Sequence, residues 1–336
     1  MPQPAVTVVI PTLAADSALL DCLRSLDLQT FRDFEVIVVD NSGMRAARAL
    51  GVRGANVRII ENASNAGFGG AINQGLRESE ARWLATLNDD AEASAGWLAE
   101  IVATGDASPD IGMVASHVRL DDEHLDSAGM LIARDGSSRQ RGHRQHPSNW
   151  QAADEALLPS GSAAAYRRAM MNDLGGFDQD FFLYCEDTDL GLRAAWRGWR
   201  CAYAPLAVVH HRYSHSAGRA SKLKAWYVER NRVRLVLKNY PSRMLPGALF
   251  TSMVRYLWHA FYLIHGSGTA AQFRQSGGSG MLLPWYVIKA HLDAAVRLPV
   301  LWAQRRGIRR TAKISTAQFA SLLRAHGISA RQVAAL

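Results

Sequence analysis

The sequence predicts an α/β fold, a doubly wound and mostly parallel sheet carrying a helical extension at its carboxyl end. Three observations lead there. Residues 6–10, 36–39 and 83–87 are short, nearly all-apolar runs of the kind that form parallel strands buried on both faces. Segments with helical spacing separate them. After about residue 241 the chain reads as helix upon helix. At 336 residues the length prior is about two domains, and the alternation divides the chain into residues 1–105, 106–241 and 242–336.

Each element follows in order. The first strand delivers Pro11 and Thr12 at its carboxyl end. Leu19, Leu20, Leu23 and Leu26 then recur at helical spacing, with Asp16 and Ser17 placed to cap them. The second strand delivers Asp40, Asn41 and Ser42, and a third covers 57–60. A helix with Ala71, Ile72, Gly75 and Leu76 on one face leads to the fourth strand, which delivers Asn88, Asp89 and Asp90. Such alternation implies right-handed crossovers, and ligands of these sheets sit beyond the carboxyl ends of the strands. Three polar clusters, two of them acidic, therefore converge on one edge.

The middle is less regular. Residues 134–150 read as an irregular loop rich in Gly, Ser, His and Arg. Gly175-Gly176-Phe177-Asp178 and an aromatic cluster at 181–184 precede Glu186-Asp187-Thr188-Asp189, which opens a short helix stopped by Gly198. The apolar run 206–209 ends in His210 and His211.

Residues 245–264 form the most apolar stretch, interrupted by Pro246, Arg255 and His259. A spanning helix needs about 20 nearly uncharged residues, so this segment reads as interfacial or packed. Lys289, Asp293 and Arg297 make a charged stripe beside Ile288, Leu292 and Val296. Arg305, Arg306, Arg309, Arg310 and Lys313 form a basic cluster.

Net charge is +8, but its distribution says more than its total. Residues 1–218 carry −9 and residues 219–336 carry +17, with only Glu229 and Asp293 acidic in the latter. A basic tail on an acidic front suits an anionic membrane surface, a nucleic acid or a phosphorylated acceptor. No nucleic-acid-binding motif accompanies it, which argues against that partner. Three cysteines without a CxxC argue against a disulfide framework or structural zinc. The amino terminus lacks a basic, cleavable leader pattern, so the expected compartment is the cytoplasm. Neither GxSxG nor GxxxxGK[ST] occurs, which removes the commonest hydrolase and ATPase readings.

Adjacent carboxylates at a strand end, as at Asp89 and Asp90, can hold a hard divalent cation together with substrate phosphate oxygens. A solvated turn is the plainer account. Glu186, Asp187 and Asp189 either complement the helix dipole or supply a general base that takes a proton from an attacking hydroxyl. A histidine meeting Asp90 would complete a mixed oxygen and nitrogen metal site. The glycines of Asn65-Ala66-Gly67-Phe68-Gly69-Gly70 open a helix whose amides either face the ligand edge or close a tight turn. They do not form GxGxxG.

Taken in order, the motifs Val8-Val9-Ile10-Pro11-Thr12, Val38-Val39-Asp40-Asn41-Ser42, residues 65–73 with Gly67, Gly75, residues 87–90, Gly176-Phe177-Asp178, residues 184–187 and 211–216 resemble glycosyltransferase family 2. The resemblance covers residues 6–241 and is nearest the rhamnosyltransferase-like branch. It implies a GT-A fold, Rossmann-like, of inverting, metal-dependent nucleotide-sugar transferases. Residues 1–105 would then be the nucleotide-sugar half and 106–241 the acceptor and catalytic half, with 242–336 the basic extension.

By that resemblance Pro11, Thr12 and Asp40 contact the nucleobase and ribose, and Asn65, Gly67 and Asn73 belong to the donor site. Asn88 and Asp90 fall on the outer positions of the family's DxD motif, giving Asp90 the metal and Asp89 the ribose or metal side. Asn88 in place of an Asp leaves one carboxylate fewer. Asp187 matches the general base, with Glu186 beside it on the acceptor. His211 matches the metal-side histidine, with His210 next to it leaving the register open. The implied cofactor is Mn²⁺ or Mg²⁺. The implied partners are a nucleotide-diphosphate sugar, dTDP-rhamnose first and UDP-sugars as the alternative, and a lipid-linked or polysaccharide acceptor. A non-catalytic nucleotide-sugar binder is the competing class. The family's processive members carry QxxRW and several spanning helices; this sequence has neither, which implies transfer of one or a few sugars. The expected place of work is the inner face of the cytoplasmic membrane, in peripheral contact with anionic lipid.

Overall fold

The computed structural model describes residues 3–54, 56–212, 222–275 and 282–335. In chain order the strands are β1 (Val6–Thr12), β2 (Phe34–Asp40), β3 (Val57–Glu61), β4 (Trp83–Leu87), β5 (Ala91–Ala93), β6 (Ile111–Arg119), β7 (Leu125–Ser127), β8 (Met130–Ala133), β9 (Ser138–Gln140), β10 (Asp154–Ala156), β11 (Ala163–Arg167), β12 (Arg200–His211) and β13 (Gly327–Ile328). The helices are α1 (Ser17–Asp27), α2 (Ala46–Ala49), α3 (Gly67–Arg77), α4 (Trp97–Asp106), α5 (Arg168–Leu174), α6 (Glu186–Trp196), α7 (Lys222–Asn239), α8 (Leu245–Ile264), α9 (Gly268–Gln275), α10 (Leu282–Val296), α11 (Leu298–Arg310), α12 (Thr316–Ala325) and α13 (Ala330–Ala335). They fall into two compact units. The first comprises Met1–Met130, Gln140–Phe182 and Trp199–Ser216; the second comprises Leu131–Arg139, Leu183–Gly198 and Ala217–Leu336.

The first unit is built on one sheet ordered β10-β12-β6-β11-β4-β1-β2-β3, with β5 added to β12 and β7 to β6. From β3 to β4 the neighbours are parallel, as the buried apolar runs predict, and β12 is parallel to β6. The small-residue run before Tyr166 becomes β11, which enters antiparallel between β4 and β6. Val8, Ile10, Val36, Val38, Trp83 and Leu87 pack with Leu19 and Leu26 of α1 and Trp97 and Ile101 of α4 into one core. Asp16 caps α1, its side chain accepting from the Ala18 amide at 2.9 Å. Because Thr12 lies beside Asp40 in register, β1 and β2 end level and present their last polar residues together.

The second unit is mainly helical, with β8 between β9 and β13 as a small sheet. Trp196 of α6 stacks on Phe319 of α12 with ring centroids 4.0 Å apart, and the Arg309 guanidinium lies 3.6 Å over its ring. Asp135, Glu229, Arg232 and Arg255 are all buried and paired: Arg255 donates to Asp135 at 2.7 Å and to Glu229 at 2.8 Å. The segment 134–150, read from sequence as an irregular loop, is instead structured. It contains β9, a 3₁₀ turn at Pro147–Trp150, and the buried Asp135 and Arg141, the latter paired with Asp154 at 2.8 Å. Buried charges with good partners hold such a segment in place despite its loop-like composition. Among the described residues no helix is long and apolar enough to cross a membrane.

Candidate active site

The first unit brings Asp90 and Asp126 together with His211 where β4 and β12 end. The chain turns after β4, with Ala91 N donating to Asn88 O at 3.1 Å, and β5 then pairs antiparallel with β12 so that Ala91 lies opposite His211. That register sets Asp90 against the end of β12. The Asp90 carboxylate lies 3.2 Å from His211 Nε2, and both residues are buried. Asn88 Nδ2 lies 3.3 Å from the same ring nitrogen. Strand alternation turns His210 the other way, into solvent opposite Glu92. The histidine that meets Asp90 is therefore His211. The rest of its sequence motif, from Tyr213 to Ser216, lies outside the described residues.

His211 has a second carboxylate partner that the sequence does not signal. Asp126 of β7 lies 3.1 Å from His211 Nδ1 and is 1% exposed. His143 Nδ1 lies 3.2 Å from the other Asp126 oxygen. Burial disfavours a charged ring, but the hydrogen bonds to Asp126 and Asp90 outweigh it and hold the His211 imidazole up to about 9. Burial likewise works against the Asp126 carboxylate, and the two histidines overcome it and hold its pKa below the usual range. A carboxylate on Nδ1 leaves Nε2 as the ring atom that faces Asp90, the arrangement in which a metal-binding imidazole is oriented.

Asp89 points to β1, accepting from Thr12 Oγ1 at 2.7 Å. Burial pushes its carboxyl up to about 6 against that hydrogen bond, with Asp90 adding to the rise. Pro11 is half-buried beside Val39 in the parallel register. Asp40 accepts from the Ser42 amide at 2.9 Å and the Ala47 amide at 2.8 Å, so it shapes the loop after β2. Burial opposes its charge, and those hydrogen bonds more than compensate, lowering its pKa.

The glycine segment closes a tight start to α3. Asn65 accepts from the Gly67 amide at 2.8 Å, and the Phe68 amide donates to the Phe182 carbonyl at 3.0 Å. Gly67 has φ +74°, and a Cβ there would stand 2.3 Å from the Phe182 oxygen, so both conformation and space require glycine. Asn73 exchanges both ends of its amide with the Phe177 backbone, at 2.8 and 2.9 Å. The Gly67 and Phe68 amides that open this helix are thus satisfied within the protein.

In the second unit the acids of α6 separate into different roles. Asp189 is fully buried and accepts from Arg193 at 2.7 Å, Lys238 at 2.8 Å and Asn239 at 2.8 Å. It anchors α6 to α7. Asp187 is half-buried and accepts from the Thr188 amide at 2.6 Å. Glu186 is 7% exposed, and among the described residues its Oε2 has no hydrogen-bond partner. Burial, with Asp187 beside it, pushes the Glu186 carboxyl up to about 8.

The turn leading into these acids is strained. Phe182, Tyr184 and Cys185 have φ of 63°, 66° and 65°, values that side-chain-bearing residues adopt at a cost of about 1–3 kcal/mol each. Asn231 of α7, fully buried, holds the last part of this turn by donating to the carbonyls of Leu183 at 2.9 Å and Tyr184 at 2.7 Å. Nothing in the sequence pairs Asn231 with a turn 47 residues earlier.

Among the described residues no group of three His, Cys, Asp or Glu side chains forms a closed metal cage. The donor set at Asp90 and His211 nevertheless fits a divalent cation of the Mn²⁺ or Mg²⁺ kind. Ions that bridge a substrate diphosphate take only one or two protein ligands and fill the remainder with phosphate and water oxygens.

The sheet order, with Asp90 and His211 at the strand ends, is that of a GT-A-like α/β fold. A family model described as "Glycosyltransferase like family 2" matches residues 2–235. The chain belongs to glycosyltransferase family 2, in its rhamnosyltransferase-like branch, and is a nucleotide-sugar transferase. It is 30% identical over 230 residues to the N-acetylglucosaminyl-diphospho-decaprenol L-rhamnosyltransferase of Mycobacterium tuberculosis, covering 60% of this chain and 75% of the relative. It is 23% identical over 295 residues to the O-antigen chain rhamnosyltransferase WbaN of Salmonella anatum, covering 76% and 88%. The structure of GalNAc-T7 with UDP, GalNAc and Mn²⁺ shares the fold at a TM-score of 0.59 and 15% identity. That match covers 89% of this chain and 58% of that one.

Proposed function

We propose that this enzyme transfers rhamnose from dTDP-rhamnose to a lipid-linked or surface-polysaccharide acceptor in a single inverting displacement. The observation that carries the chemical side is Asp90 facing His211 Nε2 at 3.2 Å, with Asp126 on the opposite ring nitrogen. The choice of sugar is supported by the similarity to the mycobacterial rhamnosyltransferase, whose name specifies a lipid-diphosphate acceptor.

Asp187 takes the proton of the acceptor hydroxyl as its oxygen attacks the anomeric carbon. The bond to the diphosphate breaks, and its electron pair leaves with the nucleotide diphosphate. Glu186, next to Asp187 at the start of α6, serves the acceptor side. Asp90 and His211 would hold a divalent cation, with Asp126 fixing the imidazole. When bound, such an ion neutralises charge on the departing diphosphate. Thr12 and Asp89 meet the ribose, Pro11 and Asp40 shape the base pocket, and Asn88 lines the diphosphate side. Asn65, Gly67 and Asn73 serve the donor through the fold of the α3 start. The work takes place at the inner face of the cytoplasmic membrane.

The test is a donor panel of dTDP-rhamnose, UDP-glucose, UDP-galactose, UDP-N-acetylglucosamine and GDP-mannose. It is read by thermal shift and slow donor hydrolysis, with Mn²⁺ or Mg²⁺ against EDTA. Metal-dependent stabilisation by dTDP-rhamnose above the others is the expected result. Preference for a UDP-sugar overturns the choice of donor. A response that EDTA leaves intact overturns the roles of Asp90 and His211.

A further inference from the structure

Helix α8 carries its amphipathy reversed. Its buried residues are Ala248, Ser252 and Arg255. Leu249, Phe250, Met253, Leu257, Phe261 and Ile264 face solvent instead, Leu257 at 71% and Ile264 at 81% exposure. At 3.6 residues per turn these six fall within about a third of the circumference, opposite the buried three. The inward polar groups are satisfied. Arg255 bonds Asp135 and Glu229, and Ser252 Oγ accepts from Arg232 at 2.9 Å. A helix on the surface of a water-soluble protein shows the opposite pattern. This one presents an apolar stripe about 23 Å long, larger than the scattered apolar residues a soluble surface tolerates.

Helix α10 repeats the arrangement independently. Ala290 and Ala294 are buried, while Trp285, Ile288, Leu292 and Val296 are exposed at spacings of three and four. The exposed charge of the described residues 222–335 is one-sided. Both acids of the tail are engaged in pairs, Glu229 with Arg232 and Arg255, and Asp293 with Arg234 at 2.7 Å. Lys222, Arg243, Arg274, Arg306, Arg310 and Arg324 are exposed. On α11 an open groove is lined by Trp302 with Arg305, Arg306, Arg309 and Arg310.

We infer that the outward faces of α8 and α10 seat this enzyme in the surface of an anionic lipid bilayer. The apolar side chains enter the acyl boundary, and exposed cations of the same basic segment meet lipid phosphates. Charge decides between occupants: a second copy of the chain would bring one +17 segment against another, whereas anionic headgroups complement it. The inference deepens the reading of the acceptor as lipid-linked and gives that reading a physical surface.

The experiment is flotation of the full chain with vesicles of phosphatidylcholine alone, or of phosphatidylcholine with one quarter phosphatidylglycerol, without donor or acceptor. Wild type is expected to float with the anionic vesicles and not with the neutral ones, less so as salt rises. The double substitution Leu257→Asp with Phe261→Asp lowers the bound fraction about tenfold or more at unchanged circular dichroism. Arg306→Gln with Arg310→Gln lowers it less and flattens the salt dependence. A wild type that stays in solution with anionic vesicles at physiological salt overturns the inference. So does a Leu257→Asp, Phe261→Asp protein that still floats. If those substitutions instead dissociate a dimer while vesicle binding is unchanged, the stripe is an interface between copies and the inference fails. The donor panel reads a separate property, so a failure here leaves the transferase reading standing, and the reverse.

Discussion

Asp189→Asn should unfold the second unit at a lower temperature, whereas Asp187→Asn, two residues away, should not. Asp189 is fully buried, and its partners Lys238 and Arg193 have side chains only 4% and 9% exposed. Replacing the carboxylate by an amide strands two cations away from water, and breaking a buried pair from one side costs about 3–5 kcal/mol. The carboxylate's own titration gives an independent, smaller figure. Burial opposes its charge, but Lys238 and Arg193 hold the pKa down to about 2 from an ordinary 3.8. At 1.36 kcal/mol per pH unit that is about 2 kcal/mol. Because the folded pKa is depressed, this stability is present above pH 3.8 and is lost as pH falls toward 2. The larger figure applies to the mutant, since the amide removes the anion and leaves both cations behind. With about 2–4 °C of Tm per kcal/mol, the loss at pH 7 is about 6 °C or more. Asp187 is half-buried and bonded locally to Thr188, so its amide should cost less than about 1 kcal/mol. Thermal melts of the three proteins at pH 7 test this, together with a wild-type series down to pH 2.5. An Asp189→Asn Tm within 2 °C of wild type would refute the anchoring role, and so would equal losses for both variants.

The same Asp187→Asn protein should transfer sugar about 10²–10⁴-fold more slowly while binding donor normally, read by product formation beside donor titration; unimpaired turnover would remove Asp187 from the chemistry. Asp126→Asn should weaken Mn²⁺ binding in the presence of nucleoside diphosphate about 10–100-fold, measured calorimetrically, because the imidazole loses the group that orients it. An affinity equal to wild type would make Asp126 merely structural. Glu186→Gln should match wild-type stability below pH 4.5 and exceed it increasingly as pH rises toward 8. The buried wild-type carboxyl keeps its proton to about 8 while the unfolded chain releases it near 4.5, so wild type loses stability across that window. Melts at pH 4.5, 7 and 8.5 decide it, and parallel curves would refute it.

What the sequence made legible was whatever depends on neighbours along the chain. Runs of buried apolar residues place β1, β2 and β4 because burial on both faces leaves a local record, and the carboxyl ends of those strands then follow. The helix opened by Glu186 is legible for the same reason. What the sequence hid depends on register and long-range pairing. Whether His210 or His211 meets Asp90 is fixed by the antiparallel register of β5 on β12, where a slip of one residue exchanges the two. Asp126 stands 85 residues before the histidine it pairs with, in a short strand that no sequence pattern ties to His211.

Asp189 and α8 show the converse, where a local pattern is legible but its meaning reverses with context. Three acids in four positions look alike in sequence, yet Lys238 and Asn239, about 50 residues later, turn one into an anchor. The other two are left beside a turn with three positive φ values, held by Asn231. Likewise, apolar residues at helical spacing in α8 ordinarily mark the face that packs inward. Here Asp135 and Glu229 draw Arg255 inward and rotate the apolar face out. Conflicts between local pattern and final environment concentrate where a protein does something besides fold. In this chain they fall on the buried Glu186, on the strained turn before it, and on the exposed stripes of α8 and α10.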